Sequence, residues 1–186
     1  MVMRLFIAIE LPEIVKLHIA DVRQTLARSI GPKWVPPQNW HVTLKFLGEL
    51  DEARASDLSS RLMREPISEM GFEADRLLYF PTRGPVHVVA IGISGDVDRI
   101  GSLHQRIEDA CEATGIARDG RRYEPHITIG RSKRGDREAA QRIALNESFP
   151  GPHFEAGEIA LVRSHLHPKG PRYEVLKRFG SNPNIS

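Results

Sequence analysis

Two tetrapeptides, His41-Val42-Thr43-Leu44 and His126-Ile127-Thr128-Ile129, occupy matching points of a strand–helix order that runs twice along the chain. In the first pass, Arg4–Glu10 reads as a short buried strand, and Pro12 suits a first helical turn. Ile14, Leu17, Ile19, Val22, Leu26 and Ile30 then recur at near-helical spacing through about residue 29. Gly31-Pro32 and Pro36-Pro37 punctuate a connector into a strand over 41–47, which Gly48 ends. A helix follows over Asp51–Met63, with Leu58 and Leu62 one turn apart, then a strand over Phe72–Phe80.

The second pass opens with a strand over Val86–Ile93. An amphipathic helix from about Val97 to Ala113 follows, with Ile100, Leu103, Ile107, Ala110 and Cys111 on its apolar face. A connector with Gly120 and Pro125 leads to the strand 126–130; a helix over 135–145 and strands near 154–162 and 172–179 complete it. The first strands begin 82 residues apart and the tetrapeptides 85 apart, so the pattern repeats although few residues do. Two pseudosymmetric lobes are expected, their motif strands facing one cleft, and the tail SNPNIS is expected to fray.

On a strand, positions i and i+2 share a face, so each tetrapeptide presents an imidazole beside a hydroxyl while its aliphatic neighbours anchor it. Simple alternation also puts Lys45 and Leu47 on the face of His41 and Thr43, with Val42, Leu44 and Phe46 opposite. Imidazoles titrate near neutrality, so one can donate a proton while the other accepts one, and the hydroxyls can bind anionic oxygens. One such tripeptide alone reads as a buried structural histidine; two at equivalent points of a doubled topology read as an acid–base pair.

Composition excludes other classes. Lys and Arg number 26 against 24 Asp and Glu, too balanced for a protein that coats nucleic acid along many phosphates. The lone Cys111 rules out a disulfide framework and a multi-cysteine zinc site and reads as a buried inert thiol. The apolar run before Glu10 is too short for a signal peptide or membrane span, so a cytoplasmic protein is expected. His165 and His167 have spacing suited to a metal but no further ligand close in sequence. Lys45 reads as reaching solvent more than the cleft, Phe6 as core more than a base-stacking platform, and Trp34 and Trp40 as pins for the proline connector. Arg121 and Arg122 read equally as a solvated loop or as phosphate-steering residues.

Beyond the tetrapeptides, RLFIAIEL at 4–11, WHVTLKFLGEL at 40–50, YEPHITIGR at 123–131 and LVRSHLHPKGPRYEVL at 161–176 carry a family likeness. The chain resembles the 2H phosphoesterase superfamily, and within it the RNA 2′,3′-cyclic phosphodiesterase (2′–5′ RNA ligase-like) branch. The resemblance implies an α+β, bilobal pseudosymmetric fold, with two antiparallel sheets lining a central cleft and helices outside. It implies one catalytic domain over 1–186, with halves 1–82 and 83–180, that opens a 2′,3′-cyclic phosphate to a 2′-phosphomonoester. His41 would be the proton donor to the leaving 3′ oxygen and His126 the proton acceptor that activates water; Thr43, Thr128 and Arg131 would bind the phosphate. The scheme uses no metal and no cofactor. Expected partners are RNA ends or nucleotides carrying a cyclic phosphate, with no membrane, and the chain is expected to be a monomer. The rival readings are an enzyme for another cyclic or 2′,5′-linked phosphodiester, such as ADP-ribose 1″,2″-cyclic phosphate, a non-catalytic RNA-end-binding protein, and a metal-dependent hydrolase built on the scattered histidines.

Overall fold

A computed structural model describes residues 2–136, 139, 149–168 and 170–180. In chain order the elements are β1 (Val2–Glu10), α1 (Glu13–Leu26), β2 (Lys33–Trp34), a 3-10 turn (Pro37–Asn39), β3 (His41–Asp51), α2 (Glu52–Leu62) and β4 (Met70–Phe80). Then come β5 (Val86–Gly95), α3 (Val97–Glu112), β6 (His126–Asp136), β7 (His153–Ala156), β8 (Glu158–His165) and β9 (Arg172–Gly180). The expected helix over 135–145 and the SNPNIS tail fall almost wholly outside the described residues, and β6 itself reaches Asp136.

Two antiparallel arrays, β9-β8-β1-β3 and β7-β4-β5-β6, meet where β3 adjoins β6. That junction is one ladder pair, Val42 with Ile127. The halves exchange strands, since β4 pairs with β5 of the second half and β8 with β1 of the first. The ladders beside the two motif strands match residue by residue. Ala8 faces Thr43 and Ile9 faces Val42 on one side; Ala90 faces Thr128 and Ile91 faces Ile127 on the other. Each motif strand carries a β-bulge just past its threonine, at Leu44 and at Ile129, because the partner strands step from Thr43 to Lys45 and from Thr128 to Gly130.

The unbroken apolar run of β1 is buried on both faces. Leu5, Ile7 and Ile9 join the main core under the helices, whereas Phe6 and Ala8 form a small cluster with Ala160 and Val162 on the opposite face. Helix α3 buries the expected Ile100, Leu103, Ile107, Ala110 and Cys111, worth about 1.5–3 kcal/mol for each fully buried large aliphatic. Helix α2 is capped by the Asp51 carboxylate, which accepts from the Arg54 N–H. In α1 the buried stripe is Val15, Ile19 and Leu26; Ile14 and Leu17 fall off this line and are exposed. Gly48 does not end β3 as expected; it adopts φ +72° at a second bulge and the strand runs on to Asp51.

Candidate active site

The bulges decide what the cleft contains. An extra residue at Leu44 resets the alternation of β3, so Lys45 turns to the helix side and is only 5% exposed, while Phe46 turns into the cleft at 60%. The expectation that Lys45 shares the face of His41, or reaches solvent, is therefore corrected, although Lys45 does border the His126 half of the cleft. At the equivalent place in β6, Gly130 turns inward and Arg131 turns toward the cleft. Pro32 and Trp34 lie where a Gly130 side chain would be, so only glycine admits the connector there. Unbroken alternation would have hidden Arg131; the bulge delivers it.

His41, Thr43, His126, Thr128 and Arg131 thus meet in one cleft with two halves. The His41 half, about 390 Å³, is lined also by Arg4, Phe6, Asn39, Ser164 and Tyr173. The His126 half, about 360 Å³, is lined also by Phe80, Arg122 and Tyr123. Thr43, Phe46, Thr128 and Arg131 line both, and so lie between the imidazoles.

Each imidazole is fixed the same way. His41 Nδ1 lies 2.7 Å from the Asn39 carbonyl, and His126 Nδ1 lies 2.7 Å from the Glu124 carbonyl. A carbonyl only accepts, so Nδ1 carries the hydrogen in both rings and Nε2 is the nitrogen free to exchange protons. His41 Nε2 accepts from the Thr43 hydroxyl at 3.0 Å. Rings pack beside both: Phe6 and Tyr173 at 4.8 and 5.4 Å from His41, Phe80 at 5.0 Å from His126.

Burial pushes the His41 imidazolium down to about 4; the Asn39 carbonyl opposes the shift, and Arg131 and His126 deepen it. His126 is lowered mainly by burial and also by Arg131, against the pull of its Glu124 contacts. A stability cost follows. Unfolded His41 titrates near 6.5, so between pH 6.5 and 4 the unfolded chain binds more protons than the folded one, and stability falls with pH across that window. One such group contributes at most about 1.4 kcal/mol per pH unit. In urea unfolding at pH 7 and pH 4.5, His41→Gln is expected to lose less stability than wild type; an equal loss in both would contradict the buried neutral imidazole.

Other residues take quieter places. Trp40 is 3% exposed and in the core, and Trp34 pairs with Gly130 on β6, as the pinning reading expected. His165 Nε2 lies 2.7 Å from Glu174. Arg121 forms an exposed bidentate pair with Asp119, whose carboxyl is held down to about 2 by those bonds. Burial pushes the Cys111 thiol up to about 12. Phe6 is buried, as the core reading expected, and its ring packs on His41. The reading of the sequence had no signal for Tyr173, Phe80 or the two carbonyls, which are set by tertiary pairing.

Residues 11–168 match the family model described as the 2′-5′ RNA ligase superfamily. The chain is 34% identical over 180 residues to a Methanocaldococcus jannaschii protein named RNA 2′,3′-cyclic phosphodiesterase, covering 95% of this chain and 100% of that one. It is 35% identical to a protein of the same name from Thermus thermophilus, covering 95% and 89%. Among solved structures, TT0787 of Thermus thermophilus superposes with a TM-score of 0.79 at 29% identity over 96% of this chain and 97% of that one. E. coli LigT complexed with 3′-AMP superposes at 0.75 and 24% identity, with coverage of 96% and 97%, a likeness of fold.

Proposed function

The chain belongs to the 2′-5′ RNA ligase superfamily, and from that membership and the cleft we propose that it opens RNA 2′,3′-cyclic phosphate ends to 2′-phosphomonoesters, with His41 and His126 as acid and base. The observation that carries the reading is the disposition of the two half-buried imidazoles. Both have Nδ1 locked to a carbonyl, and they lie on either side of two threonines and Arg131. A phosphate seated between Thr43, Thr128 and Arg131 has an imidazole toward each of the two apical oxygens of an in-line displacement. His126 Nε2 takes the proton of the attacking water, and His41, protonated at Nε2, passes its proton to the departing 3′ oxygen. Protonating His41 Nε2 also removes the acceptor of the Thr43 hydroxyl, which is then free to donate to a nonbridging phosphate oxygen.

The charge of the His41 half fits an anionic ligand. No acidic side chain lines the His41 half among the described residues, and its two guanidiniums, Arg4 and Arg131, form no ion pair there. Negative charge developing on the phosphate therefore meets cations that are not already neutralised. The test is hydrolysis of a nucleoside 2′,3′-cyclic phosphate by the intact protein in excess EDTA, with the product isomer identified. Turnover to the 2′-phosphate is expected. No turnover would overturn the substrate class, and a 3′-phosphate product would overturn the 3′ oxygen as the leaving group.

A further inference from the structure

The two motif strands share one ladder pair, so the backbone pairing between them does little to fix how far apart the two imidazoles stand. Beside that junction, bordering the His126 half of the cleft, lies a charged pair that the reaction scheme leaves unused. Lys45 Nζ donates to both oxygens of the Glu108 carboxylate at 2.8 Å and to the Ala117 carbonyl at 2.9 Å. The two side chains are 5% and 2% exposed. Glu108 also receives the Asp119 N–H at 3.4 Å, and His104 lies one helical turn away with Nε2 at 3.5 Å from the carboxylate. His104 stacks flat on Tyr123 at 4.0 Å, and the Tyr123 hydroxyl donates to the Thr43 carbonyl at 3.2 Å.

These contacts converge on the segment from Ala117 to Pro125, which enters the second motif. It is held at Ala117 by Lys45, at Asp119 by Glu108 and at Tyr123 by the backbone of Thr43, and its Glu124 carbonyl orients His126. Lys45 stands two residues beyond Thr43 and reaches Glu108 only because the bulge at Leu44 turns it inward. The same segment is therefore tied to the first motif at one end and carries the hydrogen bond that aims the second histidine at the other.

We propose that Lys45 and Glu108 are a positioning pair: they hold the 117–125 segment so that His126 and Thr43 keep the separation the phosphate requires. This rests on the phosphodiesterase reading above. A buried ion pair is a poor stabilising device, because desolvation of both charges offsets their attraction, and well-packed apolar replacements are commonly neutral or stabilising. What the pair supplies is direction. Each charge has one partner geometry, and a misfit of about 1 Å at a reacting group can cost a hundredfold in rate.

The experiment is the double variant Lys45→Met/Glu108→Leu, which removes both charges at similar volume. Thermal unfolding, kcat and KM for a nucleoside 2′,3′-cyclic phosphate, and the titration of His126 Cε1–H by NMR are measured beside wild type. The melting temperature is expected to be unchanged or higher. A roughly 10- to 100-fold fall in kcat with KM within about threefold is expected. The His126 midpoint is expected to move up toward 6.5, because the water its ring gains relieves the burial that is the largest lowering cause and outweighs the lost pull of Glu124, while His41, held by Asn39, keeps its own. A folded double variant with wild-type kcat and an unmoved His126 titration would overturn the proposal. Should the double variant fail to fold, Glu108→Gln, which keeps the shape, is read by the same titration against the same two outcomes. The titration uses no substrate, so it separates failure of this proposal from failure of the phosphodiesterase reading, which wild-type turnover reports.

Discussion

Replacing His41 or His126 by Ala is expected to lower kcat on a nucleoside 2′,3′-cyclic phosphate by about 10²–10⁴-fold, the usual worth of a positioned acid or base. The physical ground is that neither proton transfer has a second route through the cleft. The described residues lining the His41 half hold no other group that titrates near neutrality. In the His126 half the other imidazole, His104, faces Glu108 and Tyr123, and burial lowers its affinity for protons. The double variant His41→Ala/His126→Ala should be little worse than the weaker single, because acid and base act in one transition state. Binding of the 2′-phosphate product should change by less than about tenfold in each single variant, because Thr43, Thr128 and Arg131 remain. A loss of only a few-fold in both single variants would dismiss the acid–base pair and leave the cleft as a binding site.

What the sequence allowed and what it withheld divide along one physical line. Elements whose periodicity runs unbroken were legible: α3 buries every residue its apolar face named, and the 82- and 85-residue offsets reappear as Ala8 and Ala90 opposite Thr43 and Thr128. The five candidate site residues, too, share one cleft. The failures lie where the chain departs from a period. Alternation carried through Leu44 sent Lys45 to the wrong face, and alternation carried through Ile129 would have buried Arg131, because a bulge leaves no mark in composition when it falls on an ordinary aliphatic. In α1, Ile14 and Leu17 were counted with a stripe that runs through Val15 and Ile19 instead, since a helix with apolar residues at 14, 15, 17 and 19 does not say which pair is inside. Aromatic packing on the imidazoles was invisible for another reason. Phe6, Phe80 and Tyr173 come from three strands, and only strand order brings them to the histidines.

Arg131→Ala is expected to lower kcat/KM by about 10²–10³-fold, the scale seen when a preorganised donor to a developing oxyanion is lost. The same change should move the whole pH–rate profile to higher pH. Arg131 disfavours the imidazolium at both His41 and His126, so its removal raises both proton affinities. On the proposed acid–base scheme the active form needs one ring protonated and the other neutral, and its population then peaks at a higher pH. Arg131→Lys keeps the charge but not the planar fork, so it should hold the profile near its original position while recovering only part of the rate. An unmoved profile in Arg131→Ala, with a rate loss under tenfold, would place the guanidinium away from the reacting phosphate. Of the two motif strands only β6 turns an arginine into the cleft. The matching position in β3 is Phe46, uncharged and equally turned into the cleft. A phosphodiester brings a single negative charge. A second cation at Phe46 would push the imidazolium of His41 below even its present value near 4, leaving less of the protonated form that its proposed donor role requires.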